Sequence, residues 1–204
     1  MNGPQPSALR PVPCAWNSRE RLVSQPLPRP SEAEHRAAGR GPISYSCPVA
    51  IICPNLDELL ARLPPKQDGR GIVTTNGCFE LLHVGHTRYL AAAKAEGDCL
   101  VVLVNTDASM ARLKPDRKLL VPQAERMEVL AALASVDFVV PLEGDTPTSM
   151  LAHIRPAVHV KGTDYDAETL PEREVVERQG GRIAIVGPPK EWSSTDLRRR
   201  LADG

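Results

Sequence analysis

Apolar positions fall along this chain in two alternating kinds of block. Short runs rich in Val, Ile and Leu occupy Ile72–Thr75, Cys99–Val104, Val136–Pro141, Ala157–Lys161 and Arg182–Val186. The second, CLVVLV, contains no polar position, the pattern of a strand covered on both faces. Between the runs lie stretches with helical spacing, at about His86–Glu96, Gln123–Ala134, Thr146–Ile154, Glu172–Gln179 and Thr195–Ala202. Ahead of the first strand, Asn55–Leu63 reads as a short amphipathic helix, with Asn55 as N-cap and Pro64-Pro65 as the stop. Strands alternating with helices predict an α/β fold with a parallel five-stranded sheet and right-handed crossovers. In such a sheet a ligand sits beyond the carboxyl ends of the strands, near the point where strand order reverses.

The pattern fails near the N-terminus. Residues 1–50 hold nine of the 20 prolines and show little periodicity. Residues 1–42 are therefore expected to be a proline-rich, poorly ordered extension. Residues 43–70 are expected to pack on the domain and supply the short helix, and residues 71–204 to form the domain itself. Aromatic residues are only 3% of the 204, so the core must be built from aliphatic side chains. Lys plus Arg and Asp plus Glu each number 25, which gives no general affinity for nucleic acid or an anionic membrane. The five cysteines have no C-x-x-C spacing, which predicts reduced thiols and not a disulfide framework or zinc site. No apolar run reaches a membrane span, and no signal-peptide core is evident, so a cytoplasmic protein is expected.

The chemistry-bearing residues follow the strands. The first strand runs into Thr74-Thr75-Asn76-Gly77-Cys78-Phe79-Glu80-Leu81-Leu82-His83-Val84-Gly85-His86. Gly77 permits a tight turn, and the amides of the turn and the following helix start suit a phosphate group. His83 and His86 are three residues apart and share one face, with Gly85 between them leaving room for a ligand. Two imidazoles on one anion can stabilise a pentavalent phosphoryl transition state. Zinc is the rival reading, but no third ligand stands at suggestive spacing. After the last strand, Ser193-Ser194-Thr195-Asp196-Leu197-Arg198 opens the final helix, either as simple caps or as a triphosphate cradle. Arg112-Leu113-Lys114 follows the second strand, and its Lys is either a solvated surface group or a cation for β- or γ-phosphate.

These segments resemble the HxGH nucleotidyltransferases, whose two histidines act on the α-phosphate while an acceptor phosphate displaces pyrophosphate. The resemblance implies a three-layer Rossmann-like nucleotidyltransferase fold. It implies catalytic roles for His83, His86 and Lys114. Within this superfamily, residues 55–203 are similar to the heptose-1-phosphate adenylyltransferases, which stand alone or form the C-terminal half of a bifunctional heptose kinase. The likeness includes VNTDAS (104–109), EGDTP (143–147) and VKGTDY (160–165). It implies nucleotide contacts from Asn76, Gly77, Cys78, Phe79, Gly85, Arg126, Lys161, Gly162, Asp164, Tyr165, Ser194, Thr195 and Arg198. Glu80, Asn105 and Asp107 are expected beside the acceptor. The implied reaction transfers AMP from ATP, with Mg²⁺ bound to the ATP, to a sugar 1-phosphate, heptose 1-phosphate favoured. A homodimer is the assembly suggested.

Three positions depart from the family pattern. Glu80 stands where Asp is usual, residues 115–119 replace a Gly-x-x-Arg-Pro loop, and Asp196 replaces a Thr. An Asp beside a triphosphate would repel it unless it points away or is bridged by a cation. Two other readings therefore stay open: a cytidylyltransferase or other adenylyltransferase with a different phosphorylated acceptor, and a non-catalytic nucleotide-binding module. A nucleotide-binding redox domain is disfavoured, since no G-x-G-x-x-G follows the first strand.

Overall fold

The computed structural model describes residues 50–65, 71–189 and 193–202. The extension expected over 1–42 lies outside the described residues. In chain order the elements are β1 (Ile51–Ile52), α1 (Leu56–Arg62), β2 (Ile72–Gly77), α2 (Val84–Ala95), β3 (Cys99–Asn105), α3 (Asp107–Leu113) and α4 (Gln123–Ala131). Then come β4 (Phe138–Leu142), α5 (Thr148–Ile154), β5 (Val158–Gly162), a 3-10 turn (Ala167–Thr169), α6 (Arg173–Arg178), β6 (Arg182–Val186) and α7 (Ser194–Ala202).

All five expected strands form, and the sheet gains a sixth. Its order is β1-β4-β3-β2-β5-β6, and every pairing is parallel. The added strand is β1. Ile51 N–H and Cys53 N–H donate to the Asp137 and Val139 carbonyls at 2.9 and 2.8 Å, so β1 pairs the edge of β4. Two residues are too short to carry an alternating pattern, which is why the sequence predicts only five strands.

β3 is buried at all seven positions, and its side chains alternate between two cores. Leu100, Val102 and Val104 pack with Leu90 and Ala93 of α2 and with Met127 and Leu130 of α4. Val101 and Leu103 face the opposite layer, with Leu59 of α1, Leu151 of α5 and Val176 of α6. The sheet is thus covered on both faces, as a parallel sheet requires. Truncating a fully buried residue such as Leu100 to Ala should cost about 2–5 kcal/mol.

Helix ends follow local chemistry. Asn55 caps α1 as expected, its Oδ1 accepting Glu58 N–H at 2.9 Å. α2 starts at Val84, two residues before the expected start, because His83 is its N-cap. α3 occupies a stretch read as loop from the sequence; Thr106 Oγ1 accepts Ser109 N–H at 3.1 Å and starts it. Consecutive strands β2, β3 and β4 step outward in one direction, and β5 then returns to the far side of β2. The switch point lies between the carboxyl ends of β2 and β5, at Asn76-Gly77 and Lys161-Gly162.

Candidate active site

A cavity of about 630 Å³ opens at that switch point. Its lining brings together Asn76, Gly77, Cys78, Phe79, Glu80, His83, Gly85, His86, Asn105, Lys114, Lys161, Gly162, Asp164, Tyr165, Ser194 and Thr195. These come from the ends of β2, β3 and β5 and from the starts of α2 and α7. Of the expected site residues, Arg126, Asp107 and Arg198 do not line it.

The turn after β2 is compact. Phe79 adopts a left-handed conformation, with φ of 47°, and folds its ring back over Gly77. A Cβ at Gly77 would stand 3.0 Å from that ring. The same ring meets His86 edge-on, at 5.6 Å between centroids. His83 Nδ1 accepts Gly85 N–H at 3.1 Å. With Nδ1 accepting, the neutral imidazole carries its proton on Nε2, at the far edge of the ring. The two imidazoles lie 4.0 Å apart between centroids. Gly85 is required by this packing, because a Cβ there would stand 2.9 Å from His83 Cε1 and Nδ1. The first turn of α2 contains no acidic residue. The positive end of a twelve-residue helix is therefore left for an anion.

The floor of the cavity is a buried ion pair, in which Glu172 Oε2 has no partner among the described residues. Lys161 Nζ donates to Asn76 Oδ1 at 2.6 Å and to Glu172 Oε1 at 2.9 Å, both ends of the ion pair being buried. The ammonium also lies 5.2 Å from the Tyr165 ring centroid. Glu172 lines the cavity, and the sequence places it only at a helix start. Nothing in the spacing of residues 161 and 172 announces the pair. Behind the floor, the fully buried His159 sits with Nδ1 2.8 Å from Thr74 Oγ1. Burial, and then the charge of Lys161, push its pKa down to about 3. Tyr89, behind Gly187, bridges Thr75 Oγ1 and the Val160 carbonyl at 2.6 and 2.9 Å, and burial raises its phenol well above the ordinary range.

The opposite wall is organised by Arg126 and Glu80. Arg126 is fully buried beneath the cavity. Its guanidinium donates to the carbonyls of Val121 (3.1 Å), Cys78 (2.5 Å) and Asn105 (2.8 Å) and to Asp107 Oδ1 (2.7 Å). It ties the loop after β2 to the loop after β3, with four of its five N–H donors committed to protein acceptors. Asp107 is held by Arg126 and accepts Gln123 N–H at 3.1 Å, closing the start of α4. Asn105 lines the cavity while its side chain donates to Ser109 Oγ at 2.9 Å. Glu80 accepts Leu120 N–H at 2.6 Å and Arg198 Nη2, and Arg117 Nε stands 4.0 Å from it. Burial alone would raise the Glu80 pKa, but the Leu120 amide and the Arg198 guanidinium outweigh it and hold the carboxyl below its usual range. Lys114 caps α3 and reaches Cys78 Sγ at 3.8 Å.

Two features of the sequence are explained by contacts. Asp196 does not face a triphosphate alone. Ser193 Oγ donates to it at 2.6 Å and accepts Asp196 N–H at 3.0 Å, a reciprocal cap of α7, and Arg199 pairs with its other oxygen. The segments RLK and EGDTP are partners. Arg112 binds Asp145 and the Glu143 carbonyl, each at 2.9 Å, and Ser109 Oγ donates to the Gly144 carbonyl. α2 and α7 open onto the same cavity, since Ser194 Oγ donates to the Leu81 carbonyl just ahead of His83.

A parallel three-layer sheet, a glycine-spaced histidine pair on a helix start and a second helix start beside it define a nucleotidyltransferase-type site. The sequence profile of the cytidylyltransferase-like family matches residues 74–200, and the chain belongs to that family of HxGH nucleotidyltransferases. The chain is 45% identical over 148 residues to the bifunctional protein HldE of Geobacter sulfurreducens, covering 72% of this chain and 30% of that protein. It is 48% identical over 144 residues to the bifunctional protein HldE of Geobacter metallireducens, covering 70% and 29%. The chain thus spans about 30% of the length of these curated relatives. A lipopolysaccharide core biosynthesis protein of Thermoplasma volcanium aligns with a TM-score of 0.48 at 26% identity, covering 56% of this chain and 93% of that one. Among the described residues no helix is long and apolar enough to cross a membrane.

Proposed function

We propose that this chain transfers AMP from ATP to a sugar 1-phosphate, with heptose 1-phosphate the favoured acceptor, releasing pyrophosphate. The observation that carries the reading is the histidine pair, 4.0 Å apart on the uncompensated N-terminus of α2 and within the switch-point cavity. The similarity to proteins named HldE and the EGDTP and VKGTDY segments support the heptose acceptor.

In this reading the acceptor phosphate is already anionic and needs no general base. One of its oxygens forms a bond to the α-phosphorus as the bond to the β-phosphate oxygen breaks, and the electron pair leaves with pyrophosphate. His83 donates from Nε2 to an equatorial oxygen of the α-phosphate, and the α2 amides share that charge. His86, held by the Phe79 edge, contributes the second imidazole. Lys114 neutralises charge on the outer phosphates, and the Ser194 and Thr195 end of α7 cradles them. Lys161, Gly162, Asp164 and Tyr165 line the nucleoside side. Catalysis is positioning plus charge stabilisation.

Mg²⁺ is expected with the ATP, where it would supply charge neutralisation on the outer phosphates. Among the described residues no three His, Cys, Asp or Glu side chains converge as a ligand set. In this reading the cation would be carried mainly by phosphate oxygens and water. The lining carboxylate Asp145 would hold its water shell. The test is pyrophosphate release from ATP and, separately, CTP against a panel of heptose and hexose 1-phosphates. Release with ATP and heptose 1-phosphate alone supports the reading; release with CTP and another phosphate would replace it with the sister activity.

A further inference from the structure

The wall around Glu80 carries more positive charge than it can neutralise. One buried carboxylate faces two guanidinium groups. Arg198 Nη2 bonds it directly, and Arg198 Nη1 is committed to the Lys118 carbonyl at 2.9 Å. Arg117 is left with the weaker approach, its Nε 4.0 Å from the carboxylate oxygen that Arg198 already occupies. Among the described residues, buried Arg117 Nη2 finds no acceptor, and neither does Arg198 Nε. A buried guanidinium N–H without an acceptor is costly and marks a place where an anion is missing from the account.

Position says which anion. Arg117 lines the cavity, on the loop directly after Lys114. Glu80 ties it to Arg198 on α7, whose first residues, Ser194 and Thr195, line the same cavity. Arg117, Lys114 and the start of α7 therefore line one cavity, with Glu80 linking Arg117 to α7, and the histidines stand at the start of α2 in the same lining.

We propose that Arg117 grips the pyrophosphate end of the bound nucleoside triphosphate, and that Glu80, anchored by Arg198 and Leu120 N–H, is the positioning residue that presents it. The assignment rests on the nucleotidyl-transfer reading. It gives the altered loop at 115–119 a ligand-binding task, and it makes Glu80 an organiser of cations and not an acceptor ligand. Glu80 reaches both the Leu120 amide and Arg198.

The test is calorimetric titration with inorganic pyrophosphate, ATP and AMP, none of which needs the acceptor. The wild-type chain binds all three. Arg117→Ala should weaken pyrophosphate and ATP about tenfold or more, the loss of a charge-assisted hydrogen bond. AMP affinity should stay unchanged, because AMP lacks the outer phosphates. Arg117→Lys should recover part of the loss, about threefold short of wild type, since it keeps the charge without the fork. Arg62→Ala, on α1, is the control and should change nothing. Equal pyrophosphate binding by Arg117→Ala and wild type overturns the proposal and leaves the function standing. A parallel loss of AMP binding also overturns it, because the residue would then act through the fold. A wild-type chain that binds neither ATP nor pyrophosphate overturns both.

Discussion

The two sides of the cavity handle charge in opposite ways. On the floor, Lys161 and Glu172 form a one-to-one buried pair, with Asn76 accepting a further hydrogen bond. On the wall, Glu80 is shared by Arg198 and Arg117, and the side is left cationic. A balanced buried pair organises structure, since its two charges cancel. A surplus of guanidinium is held for a ligand that brings negative charge. Charged residues that cancel one another serve as scaffold, and those left in surplus serve as grip.

The comparison breaks most visibly on the floor. Glu172→Gln strands a buried ammonium and should cost about 3–5 kcal/mol of stability, read as a shift in the urea unfolding midpoint. The paired replacement Lys161→Met with Glu172→Leu should cost less than the single change, and a double-mutant cycle measures the coupling. An equal or larger loss in the double variant would show that the pair is not a unit.

On the wall the stability effect should be smaller and the ligand effect larger. Glu80→Gln keeps an acceptor for Leu120 N–H but removes the charge, and should cost about 1–3 kcal/mol. Its affinity for pyrophosphate should fall with little change for AMP. Glu80 also carries a pH signature. Its folded pKa is lowered, so its contribution is present above the unfolded value of 4.5 and is lost as pH falls through the folded value.

His159 gives a test by pH and lies behind the floor. Its folded pKa is about 3 against 6.5 unfolded, so below pH 6.5 the unfolded chain binds a proton that the folded one refuses. Its share of stability is complete above pH 6.5 and drains as pH falls toward 3, at about 1.4 kcal/mol per pH unit. Unfolding midpoints measured across this window should show the slope, and His159→Leu should flatten it.

The same contrast explains what the sequence could and could not reveal. The histidine pair, Gly77, Gly85 and the Ser194-Thr195 helix start were legible because each is a local motif with its own spacing, placed after a strand. The strand pattern also announced the parallel sheet, with CLVVLV as its buried centre. Glu172 and Arg117 were not legible as site residues, because their partners are set by tertiary folding. Arg126 was expected at the nucleotide, yet its guanidinium is spent on three backbone carbonyls and Asp107 beneath the cavity. Only the fold can tell a buried strut from a cavity cation of the same residue type. Asp196 looked like a repulsive charge until its cap with Ser193 placed it.

His83 and His86 are proposed to act on an α-phosphate. This role is tested most directly by pyrophosphate release from ATP and heptose 1-phosphate, in wild type and in His83→Ala. The wild type should release pyrophosphate. The variant should be slower by about 10²–10³-fold in kcat, the cost of removing one donor from a developing oxyanion, with ATP affinity nearly kept. A His83→Ala enzyme that turns over at the wild-type rate would contradict the account.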